Sequence, residues 1–193
     1  MKETKRERTQ KEIVDAAKTI IHDKGHEAIT VRNLADLTGY SHTNLYYYFR
    51  DLGALLWTLR LDMINDMIAE LTTNTSSHED IFDDILNKFN SYIDYFFSHP
   101  NVFRFFYFYP FIQPDGDDSY QNLDQKFNGI WQTSFVRLIQ EGIVSTENLE
   151  IVAKTIIYAM QGMIMLSFSS GGSSTKKEIK NELERLIKYL FRI

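Results

Sequence analysis

A nine-residue stretch, 41–49, carries hydroxyl, amide and imidazole groups at a spacing that suits hydrogen bonding from one side of a short helix. At 100° per residue, Leu45 and Phe49 lie one turn apart on one face and are expected to contact a core. Thr43 and Tyr47 point the opposite way. Since the three successive tyrosines 46–48 cannot all face inward, the outer face is predicted to be polar and aromatic.

These side chains have the chemistry needed to contact nucleic acid. Asn44 can pair with adenine through two hydrogen bonds, and Thr43 can donate, accept and touch the thymine methyl group. Tyrosine hydroxyls and the free amides at a helix N-terminus, here at Ser41, can bind phosphates. The alternative is that the tyrosines are core residues.

Two short helices with a glycine-containing turn between them would position this stretch. Thr30 can cap a helix that ends at Gly39, and Ser41 can cap the next one. Only Gly39 and Tyr40 separate the two, which is typical of a helix-turn-helix. An upstream helix is predicted from about Thr4 to Lys24, where Gly25 would end it.

Helical periodicity recurs along the rest of the chain, which holds only three prolines and no cysteine. We therefore expect an all-α fold of about nine helices. A three-helix, helix-turn-helix domain is predicted at 1–50, and a helical ligand-binding and dimerisation domain at 51–193. Residues 51–71 would form the connecting helix. Polar residues at 72–78 and 169–174 are expected to form a junction and a turn.

Charge is unevenly distributed along the chain, whose net charge is −5. Residues 1–60 hold ten Lys and Arg against eight Asp and Glu, whereas residues 61–193 hold eleven against eighteen. A mildly basic head on an acidic body fits a DNA-contacting module joined to a regulatory one, although an excess this small can also arise by chance. The polar N-terminus and the lack of an apolar run of ~20 residues favour a cytoplasmic protein with no membrane partner.

Residues that would support catalysis or metal binding are scattered. Among the five histidines, His22 and His26 have helical i, i+4 spacing, but Gly25 is expected to end the helix between them. The sequence contains no P-loop, dinucleotide fingerprint or nucleophile elbow. We expect no catalytic residues, metal or cofactor, and no enzyme activity.

The stretch Ile-Thr-Val-Arg-Asn-Leu-Ala at 29–35, then Gly-Tyr-Ser at 39–41 and Leu-Tyr-Tyr-Tyr-Phe at 45–49, resembles the N-terminal domain of the tetracycline-repressor (TetR) family. The family pattern is I-T-[VM]-R-x-[IL]-A followed by G-V-S-x-x-[TN]-L-Y-x-[YH]-F. The resemblance covers about residues 8–57. It implies a regulator, most often a repressor, that binds double-stranded operator DNA of palindromic sequence as a homodimer. Activation instead of repression stays open.

By position, the resemblance implies that the two residues opening the first short helix lie near phosphates. Residues in the first turns of the second helix would approach bases or the adjacent backbone, and its last two tyrosines would hold phosphates. The DNA-contacting set is Thr30, Arg32, Ser41, His42, Thr43, Asn44, Tyr46, Tyr47 and Tyr48.

Two departures from the family pattern lower the positive charge of the head. Leu52 stands where members commonly carry a phosphate-contacting Lys, and His42 stands where Lys is common. We expect a weaker electrostatic contact with DNA and a shallower salt dependence. The alternative function is an effector-binding helical protein whose DNA binding is weakened or lost.

The middle of the chain is rich in aromatic residues, and residues 103–111 are aromatic at seven of nine positions. A pocket lined by rings suits a bulky apolar or aromatic small-molecule effector, although any single ring can equally be core. Arg104 is expected to pair with an acidic effector or with a neighbouring carboxylate. The predicted ligand-binding residues are Phe96, Phe103, Arg104, Phe106, Tyr107, Trp131, Phe135, Tyr158 and Gln161.

The last two helices are the best candidates for the dimer interface, because a pair of helices from each copy can form a four-helix arrangement around a two-fold axis. Packing of these helices within one chain is the alternative. The predicted interface residues are Ile156, Met163, Leu183, Leu186, Ile187 and Leu190.

Overall fold

The computed structural model describes residues 4–74, 80–169, 172 and 174–192, and these residues form nine α-helices and one 3₁₀ turn, His26–Ala28, with no strand. The all-α expectation is confirmed. The helices are α1 (Lys5–Lys24), α2 (Val31–Thr38), α3 (His42–Tyr48), α4 (Leu52–Asn74), α5 (Ile81–Ser98), α6 (Pro100–Phe108), α7 (Ser119–Gln140), α8 (Thr146–Phe168) and α9 (Lys176–Phe191). The junction expected at 72–78 and the turn expected at 169–174 include residues 75–78, 170, 171 and 173, which lie outside the described ranges, whereas residues 72–74 belong to α4.

The described residues fall into two compact units. One lies within Met1–Asp66 and His99–Leu123, and the other within Met67–Ser98 and Asp124–Ile193. We call them the head unit and the body unit. The predicted boundary at residue 50, between a helix-turn-helix domain and a ligand-binding domain, does not coincide with the division into these two units. It stays a prediction.

In the head unit, an apolar stripe on α1 forms the centre of the core. Ile13, Ala17 and Ile21 are fully buried, and Leu34 of α2 is 1% exposed. Each fully buried Ile or Leu side chain stabilises the fold by about 1.5–3 kcal/mol. α6 also packs on α1, where the Asn101 side chain donates to the His22 carbonyl at 3.0 Å.

In the body unit, α5 lies at the centre of an aromatic core. Phe89 stacks on Trp131 of α7 with ring centres 4.7 Å apart. A small polar cluster is buried beside these rings, where Lys88 bridges Asp84 at 3.0 Å and donates to Ser134 at 2.6 Å. Since each buried polar group in this cluster has a partner, the cost of removing it from water is largely offset.

Among the described helices, α8 alone is long and apolar enough to cross a membrane, with a mean hydropathy of 1.5 over its most apolar window. One such helix is weak evidence for a membrane protein, because apolar helices of soluble proteins pass the same test. Only 17% of that window is buried within the protomer.

Candidate functional site

The short helix α3 presents a polar face to solvent and an apolar face to the head-unit core. Leu45 and Phe49 are 6% and 8% exposed, as the helical spacing predicted. The Ser41 hydroxyl caps the helix by accepting from the Asn44 amide at 3.2 Å. The exposed residues of this face are His42, Thr43, Asn44, Tyr46 and Tyr47.

The preceding helix α2 is fixed by its own cap and by the turn that follows it. The Thr30 hydroxyl accepts from the Asn33 amide at 3.1 Å. Gly39 ends α2 in the left-handed conformation, with φ of 74°, which residues with a side chain rarely adopt. The side chain of Arg32 is 85% exposed and lies 4.0 Å from Asp36, so this weak surface pair leaves it accessible to an anion.

Tyr40, in the turn between α2 and α3, joins the helix-turn-helix to α1. Its hydroxyl donates to the Glu12 carboxylate at 2.6 Å, and this hydrogen bond raises the pKa of Tyr40. The turn is therefore held to α1 by a charge-assisted hydrogen bond as well as by the apolar core.

Two residues of α1 support the tyrosines, and the sequence analysis did not identify them. The guanidinium carbon of Arg6 lies 5.6 Å from the ring centre of Tyr47. Gln10 donates to the Tyr48 carbonyl at 3.1 Å, and the rings of Tyr47 and Tyr48 meet edge to face at 5.1 Å. The cluster of basic residues before position 12 could have indicated that α1 takes part in this site, because a cation beside an exposed tyrosine favours phosphate binding.

At the start of α4, Leu52 stands where the TetR pattern commonly has a lysine, and Asp51 beside it is negatively charged. The Asp51 carboxylate accepts from the Ala54 amide at 2.7 Å and from Arg50 Nε at 2.9 Å. These contacts, the amide first, lower the pKa of Asp51, so it stays ionised. Leu52 is half-buried against the apolar head core and lines a small void with Leu34 and Leu55.

The family model for bacterial regulatory proteins of the tetR family matches residues 13–56, the segment that contains α2, α3 and most of α1. Over this segment the chain is similar to the tetR family. No curated protein matches this sequence. The match confirms the expected helix-turn-helix of a transcription regulator, and the individual DNA-contacting residues stay predictions.

Solved structures show the same fold at low sequence identity. RolR in complex with resorcinol is 14% identical, with a TM-score of 0.67 over 94% of this chain and 88% of RolR. A tetR-family regulator from Mesorhizobium loti is 17% identical, with a TM-score of 0.68 over 98% of both chains. The superantigen PfiT is 17% identical, with a TM-score of 0.71 over 95% of this chain and 97% of PfiT.

The ligand-binding residues predicted on α6 are distributed around that helix in the head unit. Phe103 is fully buried, Phe106 is 8% exposed and Tyr107 is 36% exposed. Arg104 is half-buried, and its Nη1 donates to Asn101 at 3.4 Å. The ring of Phe103 contacts that of Tyr107 at 4.6 Å, so Phe103 is a core residue in this structure.

In the body unit, two of the predicted residues line a cavity between α7 and α8, and three do not. Trp131 and Phe135 lie in the wall of this cavity, which has a volume of about 300 Å³. The other lining residues are Asn128, Gln132, Thr146, Leu149, Glu150, Ala153 and Ile157. Phe96 is fully buried in the core, and neither Gln161 nor Tyr158, which is 63% exposed, is in the lining.

Part of the predicted dimer interface is wrong, because half of its residues are buried inside the protomer. Ile156, Leu183 and Ile187 are each fully buried, so they have no surface to offer a second copy. Met163, Leu186 and Leu190 are half-buried. The opposite face of α8 and α9 is exposed and apolar, at Ile151, Tyr158, Met165, Leu166 and Tyr189.

Proposed function

We propose that the chain is a homodimeric repressor that binds palindromic operator DNA through α2 and α3 and leaves it when an apolar or aromatic effector binds. The observation that carries the proposal is the outer face of α3. His42, Thr43 and Asn44 occupy its first turn and are all exposed, while Leu45 fixes the helix from below. A recognition helix enters the major groove with its N-terminal residues against the base edges.

The surroundings of α3 supply phosphate contacts without a high density of charge. Arg32 and Arg6 are exposed, and Arg6 lies over the Tyr47 ring. Asp51, directly before α4, is ionised and would repel a phosphate beside it. We expect base and tyrosine contacts to contribute a larger share of affinity here than ionic contacts do, since each missing phosphate contact lowers the salt dependence.

The cavity between α7 and α8 is the proposed effector site. Its buried rings, Trp131 and Phe135, offer an apolar floor, while Asn128, Gln132 and Glu150 offer polar groups for orientation. Its volume of about 300 Å³ is at the small end of ligand pockets, which favours a compact aromatic molecule over a long chain. RolR, which has the same fold, was solved with resorcinol, a small aromatic compound.

The exposed apolar face of α8 and α9 is the proposed dimer surface. Ile151, Tyr158 and Leu166 are 66%, 63% and 67% exposed, and they recur at intervals of seven and eight residues, which places them along one stripe. Burial of this stripe against its symmetry mate would remove a large apolar area from water. In this proposal the protein acts in the cytoplasm, where its operator is found.

Release by an effector follows from a population shift. In one conformer of the dimer, the spacing of the two α3 helices does not match adjacent major grooves. An effector that prefers this conformer lowers operator affinity, at most by the ratio of its affinities for the two conformers. α4 is the element expected to transmit the change, because it begins directly after the helix-turn-helix and runs to Asn74.

A second candidate function is an effector-binding protein without DNA binding. The start of α4 favours it, since Leu52 stands where a phosphate contact is expected and the neighbouring Asp51 is ionised. PfiT has the same fold and is a superantigen, so the fold does not require a regulator's function.

Fluorescence anisotropy with duplex DNA from the region upstream of the protein's own gene separates these functions. We expect specific binding, and we expect Asn44→Ala to weaken it by about 1–3 kcal/mol while leaving binding to random-sequence duplex unchanged. Asn148→Ala, an exposed asparagine on α8, is the matched control. Addition of resorcinol and related phenols tests release. Equal affinity for upstream and random duplexes would favour the second candidate.

A further inference from the structure

Arg60, on α4, holds its guanidinium group among three aromatic rings of the head unit. The guanidinium carbon lies 4.3 Å from the ring centre of Phe111, 4.7 Å from that of Tyr120 and 5.9 Å from that of Trp57. Phe105 lies behind Phe111 with ring centres 4.9 Å apart. The faces of these rings attract the cation, but they do not accept hydrogen bonds along its N–H edges.

The donors of this guanidinium are incompletely satisfied within the described part of the chain. Nε is buried and has no hydrogen-bond partner, and Nη2 has only a long contact of 3.5 Å with the Tyr120 hydroxyl. No described carboxylate lies within ion-pair distance of it. Burial lowers the pKa of Arg60, yet an arginine stays charged in proteins and is seldom buried without an acid beside it.

The acidic residue on the adjoining loop does not fill this role. The Asp117 carboxylate accepts from Trp57 Nε1 at 2.7 Å and from the Ser119 amide at 2.8 Å. These contacts, those with Ser119 first, lower the pKa of Asp117 and hold the loop beside α4. Asp117 is therefore committed to two other donors, and Nε of the guanidinium stays without a partner.

We infer that Arg60 binds the carboxylate of an external ligand whose remaining part is apolar or aromatic. Nε and Nη2 share one edge of the guanidinium, and this edge matches a planar carboxylate through two parallel hydrogen bonds. The Tyr120 hydroxyl, 3.5 Å from Nη2, can donate a third. The rings around it suit an apolar body. This site belongs to the head unit, is distinct from the α7–α8 cavity, and stands independently of DNA binding.

Entry of a carboxylate to Nε requires one ring to move. Phe111 is held by Phe105 and by Tyr109, whose ring centre is 4.7 Å away, and Trp57 is fixed by Asp117. Tyr120 lies in the first turn of α7 and is half-buried. We therefore expect Tyr120 to turn and to exchange its long contact with Nη2 for a hydrogen bond to the ligand.

The test compares carboxylic acids with their neutral amides on the full-length protein. Benzoate and 3-phenylpropionate are titrated beside benzamide and 3-phenylpropionamide, and the Nε–H resonance of Arg60 is followed by NMR. We expect at least one acid to bind at least tenfold more tightly than its amide and to move the Arg60 resonance. Equal affinities, or no binding of either acid, would overturn the inference.

Three variants locate the binding. Arg60→Met is expected to remove the preference for the acid, and Arg60→Lys, which keeps the charge but loses the planar edge, to remove most of it. Arg185→Met, on an exposed arginine of α9, is expected to behave as the wild type. If Arg60→Met still bound the acid more tightly than its amide, Arg60 would not be the carboxylate-binding residue. If that variant does not fold, the acid–amide comparison on the wild type and the Lys variant still decides.

Discussion

At the scale of single residues, Leu52 decides how strongly the head is expected to hold phosphate. It opens α4, where its side chain packs beside Leu34 and Leu55 and leaves no cation at position 52. The neighbouring Asp51 carboxylate further lowers the local positive potential, and salt screens such exposed charges.

Leu52→Lys is expected to steepen the salt dependence of operator binding. One restored phosphate contact raises the slope of log affinity against log salt by about 0.9. The variant is also expected to lose about 1 kcal/mol of stability, because Leu52 is half-buried against apolar neighbours.

Gln125→Lys adds the same charge at an exposed position of α7, away from the DNA-contacting helices and the proposed dimer surface, and it is the control for net charge alone. Anisotropy titrations between low and moderate salt give both slopes. A slope unchanged by Leu52→Lys would show that position 52 does not approach phosphate.

At the scale of elements, the helix ends could be predicted closely because local side chains set them. Thr30, Ser41 and Thr175 each cap the helix that follows, and Thr175 with Glu178 forms a capping box. Each cap satisfies amides that the first turn leaves free, so the signal is contained within four residues of sequence.

Which face of a helix is buried could not be predicted as well. Ile151 and Ile156 are the same residue type on α8, yet one is 66% exposed and the other is fully buried. α8 is apolar around most of its circumference, so periodicity does not distinguish a core face from a partner face. For the same reason, Tyr158 was predicted from the sequence to bind the ligand and Leu183 to lie at the dimer interface.

The turn between α2 and α3 should depend on the backbone freedom of Gly39. Gly39→Ala is expected to lower the free energy of unfolding by about 1–2 kcal/mol, since its φ of 74° is unfavourable for a residue with a side chain. An added Cβ would meet nothing within 4 Å, so the cost comes from the backbone conformation alone.

Gly129→Ala is the matched control for this prediction. Gly129 lies inside α7, its added Cβ also has free space, and alanine should stabilise the helix by about 0.5–1 kcal/mol. Urea unfolding of both variants measures whether each substitution raises or lowers the free energy of unfolding. Equal shifts for the two substitutions would contradict the role of the turn.

At the scale of the whole molecule, the distribution of apolar surface indicates where a second copy would bind. The exposed stripe on α8 consists of large apolar side chains, Tyr189 of α9 adds to it, and monomers rarely expose large contiguous apolar patches. These side chains lie outside the core of the body unit. We expect them to be buried by contact with a second copy of the chain.

Tyr158→Glu combined with Leu166→Glu is expected to convert a dimer into a folded monomer of 22.7 kDa. Both side chains are exposed in the protomer, so the substitutions should disrupt association with little effect on the protomer fold. Sedimentation at micromolar concentration measures the mass. Ile112→Glu, at a loop position that is 88% exposed, is the control. A wild-type protein already of monomer mass would contradict the dimer proposal.

The two compact units each contain one of the two tryptophans of the chain, Trp57 in the head unit and Trp131 in the body unit. Both indoles are nearly buried, but Trp57 donates to a carboxylate, whereas Trp131 stacks on Phe89. The intrinsic fluorescence of the protein is therefore divided between two chromophores in different electrostatic settings. Replacing either tryptophan by phenylalanine would leave a fluorescence signal that reports the unfolding of a single unit. Comparison of the two variants would show whether the units unfold together, without an added label.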